Sequence, residues 1–179
     1  MRLFPVAIPA IAALAAVAAH AALATGAPAP DFTAQAALAG RDFPFSLANA
    51  LKKGPVVLYF YPKSFTKVCT EEAHEFAEAA DEFSRLGASV VGVSADTIET
   101  QREFSSMECR DKFPVAADPD RRVIKAYDVA SDSSPVARRT SFVIAPDGKI
   151  LSNVTDPGAD EHIRNALAVV RAWRAAQKN

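Results

Sequence analysis

Pro55-Val56-Val57-Leu58-Tyr59-Phe60-Tyr61, followed at once by Pro62-Lys63-Ser64-Phe65-Thr66-Lys67-Val68-Cys69-Thr70, is the stretch on which the reading of this chain turns. Its first half is an almost unbroken apolar run, the pattern of a buried strand. Its second half is polar around a single cysteine, and a helical pattern sets in near Thr70. Cys69 is therefore expected where a strand ends and a helix opens. Unpaired backbone N–H groups and the positive end of the helix dipole meet at such a junction and favour a thiolate over a thiol. A lone cysteine is more often an inert, buried packing residue. Here the polar neighbours Lys63, Ser64, Thr66, Lys67 and Thr70, and the position at a strand's carboxyl end, argue for a reactive thiol.

Downstream, Ala73, Phe76, Ala80, Phe83 and Gly87 recur at helical spacing from Cys69. Glu71, Glu72, Glu75 and Glu78 load the N-terminal half, and Gly87 is a natural stop. Ala88–Ser94 reads as a second strand. Asp96 or Thr97 can cap a helix carrying Ile98, Phe104 and Met107, with Cys109 at or just past its end. Phe113–Ala117 reads as an edge or irregular strand, because Pro114 cannot donate to a ladder. Asp118-Pro119-Asp120 is a turn, and Val123–Val129 a short helix. Ser131–Ala137 is the least structured part, with almost nothing to bury. Thr140–Ala145 and Lys149–Val154 form a hairpin around Pro146-Asp147-Gly148. The last helix carries Ile163, Ala166, Leu167, Val170 and Trp173 on one stripe, suited to packing on a sheet.

Upstream of the deciding stretch, Phe32 and Phe43–Leu47 are short extended pieces, and Ser46 caps about one helical turn through Leu51. This order of elements, with right-handed crossovers, predicts an α/β domain: a central mixed β-sheet flanked by helices on both faces. Such an arrangement is compatible with a thioredoxin-like layout.

Composition narrows the function. The chain has 179 residues, 50% hydrophobic, with a formal net charge of −1, which suits one globular domain with its own core. Near-neutral charge, without a basic run, disfavours nucleic acid as a partner. Two cysteines exclude a disulfide framework and a four-cysteine zinc site. Cys69 and His74 lie about 140° apart around a helix and share no face, so no metal site is expected. The chain has no phosphate-cradling glycine loop, so no organic cofactor is expected either.

The N-terminus carries Arg2, an Ala-rich apolar run from Val6 to Ala19, and an A-x-A site at Ala19-His20-Ala21. This is the pattern of a signal peptide over residues 1–21. Cleavage after Ala21 would leave an exported, periplasmic protein without stable membrane association. The competing reading is an uncleaved anchor, which Pro5 and Pro9 disfavour. A Pro/Ala-rich lead, 22–30, then precedes the domain, 31–179.

Pro62-x-x-x-Thr66-x-x-Cys69 resembles the active-site motif of peroxiredoxins, thiol-dependent peroxidases with a thioredoxin-like fold. Tyr59-Phe60-Tyr61-Pro62, Cys69-Thr70-x-Glu72, Val91-Gly92-Val93-Ser94, Phe113-Pro114, Asp118-Pro119-Asp120 and Arg139-x-x-Phe142-Val143-Ile144-x-Pro146-Asp147-Gly148 are similar to the bacterioferritin-comigratory subgroup. The resemblance runs from about Pro30 to Ile150. It implies that Cys69 attacks the peroxide O–O bond as thiolate and that Thr66 donates or relays a hydrogen bond. It also implies that Pro62 shields the site, Arg139 favours the thiolate and the departing oxygen, and Glu72 orients Arg139. Arg138 is a rival for the arginine role, although the spacing to Phe142 favours Arg139.

Oxidised Cys69 would become a sulfenic acid and condense with a second thiol. Many relatives carry that resolving cysteine five residues on, where this chain has His74. Cys109, forty residues on, is the remaining candidate; a passive buried Cys109 or an external thiol are the alternatives. The implied partners are a peroxide and a thioredoxin-like or other thiol reductant. Two other readings stay open at this level: a thioredoxin-fold thiol-disulfide oxidoreductase, and a non-catalytic binding or holdase module.

Overall fold

The computed structural model describes residues 22–131 and 133–177. Its elements run β1 (Thr33–Leu38), β2 (Arg41–Ser46), α1 (Leu47–Leu51), β3 (Val56–Phe60), α2 (Lys67–Arg85), β4 (Ser89–Ser94), α3 (Ile98–Met107), β5 (Val115–Ala117), α4 (Arg122–Ala126), β6 (Thr140–Ile144), β7 (Ile150–Thr155) and α5 (Asp160–Ala176). The strands form one sheet in the order β2-β1-β5-β4-β3-β6-β7. The β3–β4 and β4–β5 pairs are parallel, while β3–β6 and β6–β7 are antiparallel, so the sheet is mixed.

Strand β3 is buried along its whole length and shares its side chains between two cores. Val57 and Tyr59 join the cluster under α2, α3 and α5, with Ala73, Phe76, Phe104, Ile163 and Val170. Val56, Leu58 and Phe60 join the opposite cluster, with Leu47, Leu51, Ile124 and Tyr127 from α1, α4 and the turn after it. This period-two alternation places helices on both faces, as the sequence predicts. Gly92 lies opposite Tyr59 in the ladder; a Cβ there would stand 2.7 Å from the tyrosine ring, so glycine lets the ring cross β4 and stack on Phe76 at 4.5 Å.

Several local expectations change. Thr33–Leu38 is a full strand, paired with both β2 and β5. Its alternation of Ala and polar residues carries almost no hydrophobic signal, and pairing on both edges holds it instead. The Phe113–Ala117 strand is interior rather than an edge: Pro114 stands just ahead of β5, where its carbonyl accepts from Gly92 N–H. Helix α2 begins at Lys67, three residues ahead of Thr70, so Cys69 sits inside its first turn. Thr97 caps α3. The buried stripe of α3 is Gln101, Phe104 and Ser105, with Met107 65% exposed.

Residues 22–30 run along the domain. Gly26 N–H donates to Ile150 O, Ala29 N–H to Gly148 O, and Ala22, Leu23, Ala27 and Ala29 pack against the cluster of α1 and α4. The signal-peptide reading of residues 1–21 lies outside the described residues.

Candidate active site

Thr66 is the N-cap of α2, in extended backbone, and the first helical hydrogen bond runs from Thr70 N–H to Thr66 O at 2.9 Å. The N–H groups of Lys67, Val68 and Cys69 therefore have no intrahelical acceptor and point to the helix's positive end. Cys69 is 1% exposed. Glu72, three residues on, lies on the same helix face and is fully buried. Arg139 approaches from just ahead of β6.

All three guanidinium nitrogens of Arg139 donate. Nη2 donates to Cys69 Sγ at 3.1 Å, Nη1 to Glu72 Oε2, and Nε to the Pro157 carbonyl at 3.2 Å. One buried cation thus serves two acidic side chains, a sulfur and a carboxyl. Burial pushes the Glu72 carboxyl up to about 8, against the pull of Arg139. Burial pulls the Arg139 guanidinium down, yet Glu72 and the bond to Cys69 hold it above its ordinary value. Glu72 Oε1 is buried without a partner, so the carboxyl lacks the further donors that would offset its burial.

The loop between β3 and α2 is fastened from behind. Ser64 N–H donates to Asp96 Oδ2 at 2.8 Å, and Ser94 Oγ donates to the same oxygen. Gln101 Nε2 donates to Ser94 Oγ and to Ala116 O, while Tyr61 O–H donates to Gln101 Oε1 at 2.6 Å. This buried network joins the loop to β4 and α3. In front, Phe65 takes a left-handed backbone (φ 63°) and sets its ring edge-on to Phe104. Such a conformation is unfavourable for a bulky residue and persists where surrounding contacts fix it.

Of the residues singled out from sequence, Cys69, Glu72 and Arg139 come into mutual contact. Pro62 is half-buried and lines a cavity of about 450 Å³ with Val136, Arg139, Thr155 and Pro157. Thr66 is exposed, and its hydroxyl donates to Lys63 O at 2.9 Å rather than to the sulfur. Its oxygen lone pairs remain as acceptors toward a ligand. Arg138 points elsewhere, donating to Asp128 O, which separates it from its neighbour.

Cys109 lies just past α3, buried in the same hydrophobic cluster as Cys69, and both are free thiols. Burial, with Glu108 and Asp111 nearby, pushes its thiol well above the ordinary value. The segment that carries it is tied to α2 by three polar contacts: a hydrogen bond between His74 Nε2 and Glu108 Oε2 at 2.7 Å, and the ion pairs Glu78–Arg110 at 3.3 Å and Asp81–Lys112 at 3.1 Å. His74, which stands where many relatives carry the resolving cysteine, is one rung of that ladder. Arg110 and Asp111 adopt left-handed backbone in succession (φ 50° and 58°).

Sequence reasoning missed the Ser64–Asp96–Ser94–Gln101 clamp and the buried Ser141–His162 pair. Gln101 stands between Ile98 and Phe104 at i, i+3 spacing, and a polar residue on an apolar stripe is the signal that could have found it.

Residues 25–152 match the model of the AhpC/TSA family. The protein named "Putative peroxiredoxin YkuU" of Bacillus subtilis is 37% identical over 172 residues, covering 86% of this chain and 96% of that protein. Peroxiredoxin-1 of Gallus gallus is 30% identical over 163 residues, covering 86% and 81%. The crystal structure of peroxidoxin BcpB from Mycobacterium tuberculosis superposes with a TM-score of 0.76 at 34% identity, covering 84% of this chain and 97% of that one. A thioredoxin-like sheet, a cysteine in the first turn of α2 and kinship over most of the chain lead to one conclusion: the chain belongs to the AhpC/TSA family as a peroxiredoxin of the bacterioferritin-comigratory type, a thiol-dependent peroxidase acting on peroxide with a thiol reductant.

Proposed function

We propose that Cys69 is the peroxidatic cysteine, that Arg139 and Glu72 ready it, and that Cys109 resolves it. The carrying observation is the 3.1 Å hydrogen bond from Arg139 Nη2 to Cys69 Sγ in a niche closed to bulk water. The Cys69 thiolate attacks one peroxide oxygen, the O–O bond breaks, and the sulfur is oxidised by two electrons to sulfenic acid. The departing oxygen leaves as water or an alcohol after taking up a proton. Arg139 offers its Nη2 N–H to the negative charge as it moves from sulfur to the leaving oxygen. Thr66 accepts from the peroxide O–H, and Pro62 forms one wall of the approach.

The Cys109 thiol then attacks the sulfenic sulfur, releasing water and forming a Cys69–Cys109 disulfide. Support for this step is that both cysteines belong to one buried cluster. Disulfide geometry requires Cα atoms within about 7 Å, so the first turn of α2 and the 108–112 segment must rearrange. A thioredoxin-like dithiol donor reduces the disulfide and returns both thiols. The pattern at Arg2–Ala21 supports export, with cleavage after Ala21 into a periplasmic, oxidising compartment.

Peroxide consumption by wild type and Cys69→Ser under a dithiol reductant tests the reading. Wild type is expected to turn over hydrogen peroxide and the variant to be inactive; equal consumption by both would overturn it. For export, the intact mass of the protein recovered from the cell envelope should begin at Ala22. A mass that includes Met1–Ala21 would overturn that part.

A further inference from the structure

His162 is the one fully buried histidine among the described residues. Its ring is held at both nitrogens. Nδ1 lies 2.8 Å from Ser141 Oγ, and Nε2 lies 3.0 Å from the Asp156 carbonyl. A carbonyl has no proton to give, so Nε2 carries the hydrogen, and in the neutral ring Nδ1 accepts from the Ser141 hydroxyl. The next carbonyl along the chain, that of Pro157, accepts from Arg139 Nε at 3.2 Å. Asp156 and Pro157 therefore form a short strap with two carbonyls. His162 grips one of them, and the guanidinium that contacts Cys69 leans on the other.

The strap has little freedom of its own. Pro157 fixes one backbone torsion, and Gly158 N–H donates to Asp156 Oδ1 at 2.7 Å. Ser141, which orients the ring, stands two residues after Arg139, at the alternate position that shares a face in extended backbone.

We infer that His162 is a positioning residue for Arg139: through the Asp156–Pro157 strap it sets where the guanidinium stands relative to the Cys69 sulfur. The inference rests on the reading of Cys69 and Arg139 given above.

A second proton on the ring would undo this arrangement. Nδ1–H would meet the Ser141 hydroxyl, which must then turn its own hydrogen away. It would also add a second buried cation beside Arg139. The charged groups facing the ring are Arg139 ahead of β6, Asp156 in the strap and Glu161 on α5 itself. On α2, Glu72 meets Arg139 and Glu75 faces Asp160. Burial, joined by Arg139, outweighs the pull of Asp156 and Glu161 and keeps the ring neutral to lower pH than a free histidine. Below that range the strap shifts and Arg139 leaves its place.

The test is the pH profile of the second-order rate constant for Cys69 oxidation by hydrogen peroxide, followed by stopped-flow fluorescence with the full chain. His162→Gln keeps a donor and an acceptor but cannot titrate. Its rate at pH 7.5 is expected to stay within about threefold of wild type, while its acid-side fall becomes shallower by one proton. His162→Ala removes both grips and should lose about tenfold or more at pH 7.5, as displacement of about 1 Å costs up to ~100-fold. Arg139→Met serves as the control on the underlying reading. If that variant is slow, yet His162→Gln retains the wild-type steepness below pH 6.5, the inference about His162 fails and the site stands. If Arg139→Met is itself unimpaired, the site reading fails first. Should His162→Ala not fold by near-UV circular dichroism, the slope in His162→Gln decides alone.

Discussion

Replacing Arg139 by Met removes the guanidinium and keeps much of the side chain's length, so packing changes little while three hydrogen bonds disappear. A hydrogen bond to a charged partner contributes about 1.5–3 kcal/mol. If the Nη2–sulfur bond acts fully in the transition state, the rate constant with peroxide should fall by about 10- to 150-fold. Stability should fall as well, because Glu72 is left buried without its cation. Breaking a buried pair in this way costs about 3–5 kcal/mol. The carboxyl is already pushed up to about 8, so it can take a proton instead of staying charged. The lower figure, about 3 kcal/mol, is therefore expected near neutral pH.

Adding Glu72→Gln to Arg139→Met separates the two losses. The amide carries no charge to strand, so urea unfolding of the double variant should recover about 1–2 kcal/mol over Arg139→Met. Stopped-flow measurement of the same protein should show no recovery of rate, since nothing has been returned to the sulfur. An Arg139→Met rate within about threefold of wild type would refute the role of Arg139. Rate and stability recovering together would refute the separation of the two acids around one cation.

Glu72→Gln alone should change the pH dependence of stability. The Glu72 carboxyl moves from an ordinary 4.5 up to about 8 on folding, so the folded protein holds a proton that the unfolded chain releases between those values. That contribution is complete below about 4.5 and is lost as pH rises through about 8, so wild-type stability measured against Glu72→Gln should decline across the window. A flat difference would contradict the shift. Cys109→Ser should leave the first oxidation of Cys69 unchanged, abolish disulfide formation, and accumulate sulfinic acid in Cys69 under excess peroxide, read by mass spectrometry. Unaltered multiple turnover with a dithiol donor would contradict Cys109 as resolving thiol. Glu78→Gln with Asp81→Asn cuts two of the three ties holding the 108–112 segment to α2. Exposed pairs of this kind contribute at most about 1 kcal/mol each, so with both cut disulfide formation after oxidation should quicken by up to about 30-fold. A slower step would show that the ties assist resolution.

The strands and helices that carry strong periodicity were legible from sequence: β3 with its apolar run, the amphipathic α2 and α5, and the β6–β7 hairpin with its Pro146-Asp147-Gly148 turn. Strand β1 was not, because the residues that Thr33–Leu38 buries fully are two small alanines, Ala36 and Ala37, and the strand is defined by the strands beside it. The interior place of β5 was hidden for a related reason: Pro114 suggests an edge, and only the ladder reveals that the proline falls just outside it. In the site, Cys69, Glu72 and Arg139 could be named from a motif and a spacing. The Asp156–Pro157 strap, the Ser141–His162 pair and the polar ladder from α2 to 108–112 join residues far apart in the chain, most through backbone carbonyls or ordinary surface side chains. Such contacts leave no local pattern.

Time-resolved mapping of thiol oxidation after one equivalent of hydrogen peroxide tests the central claim most directly. Samples are quenched with an alkylating agent and read by peptide mass spectrometry. Sulfenic acid should appear first on Cys69 while Cys109 is still a free thiol, and should then give way to a Cys69–Cys109 disulfide within one chain. Oxygen arriving first on Cys109, or Cys69 remaining reduced while peroxide is consumed, would contradict the account.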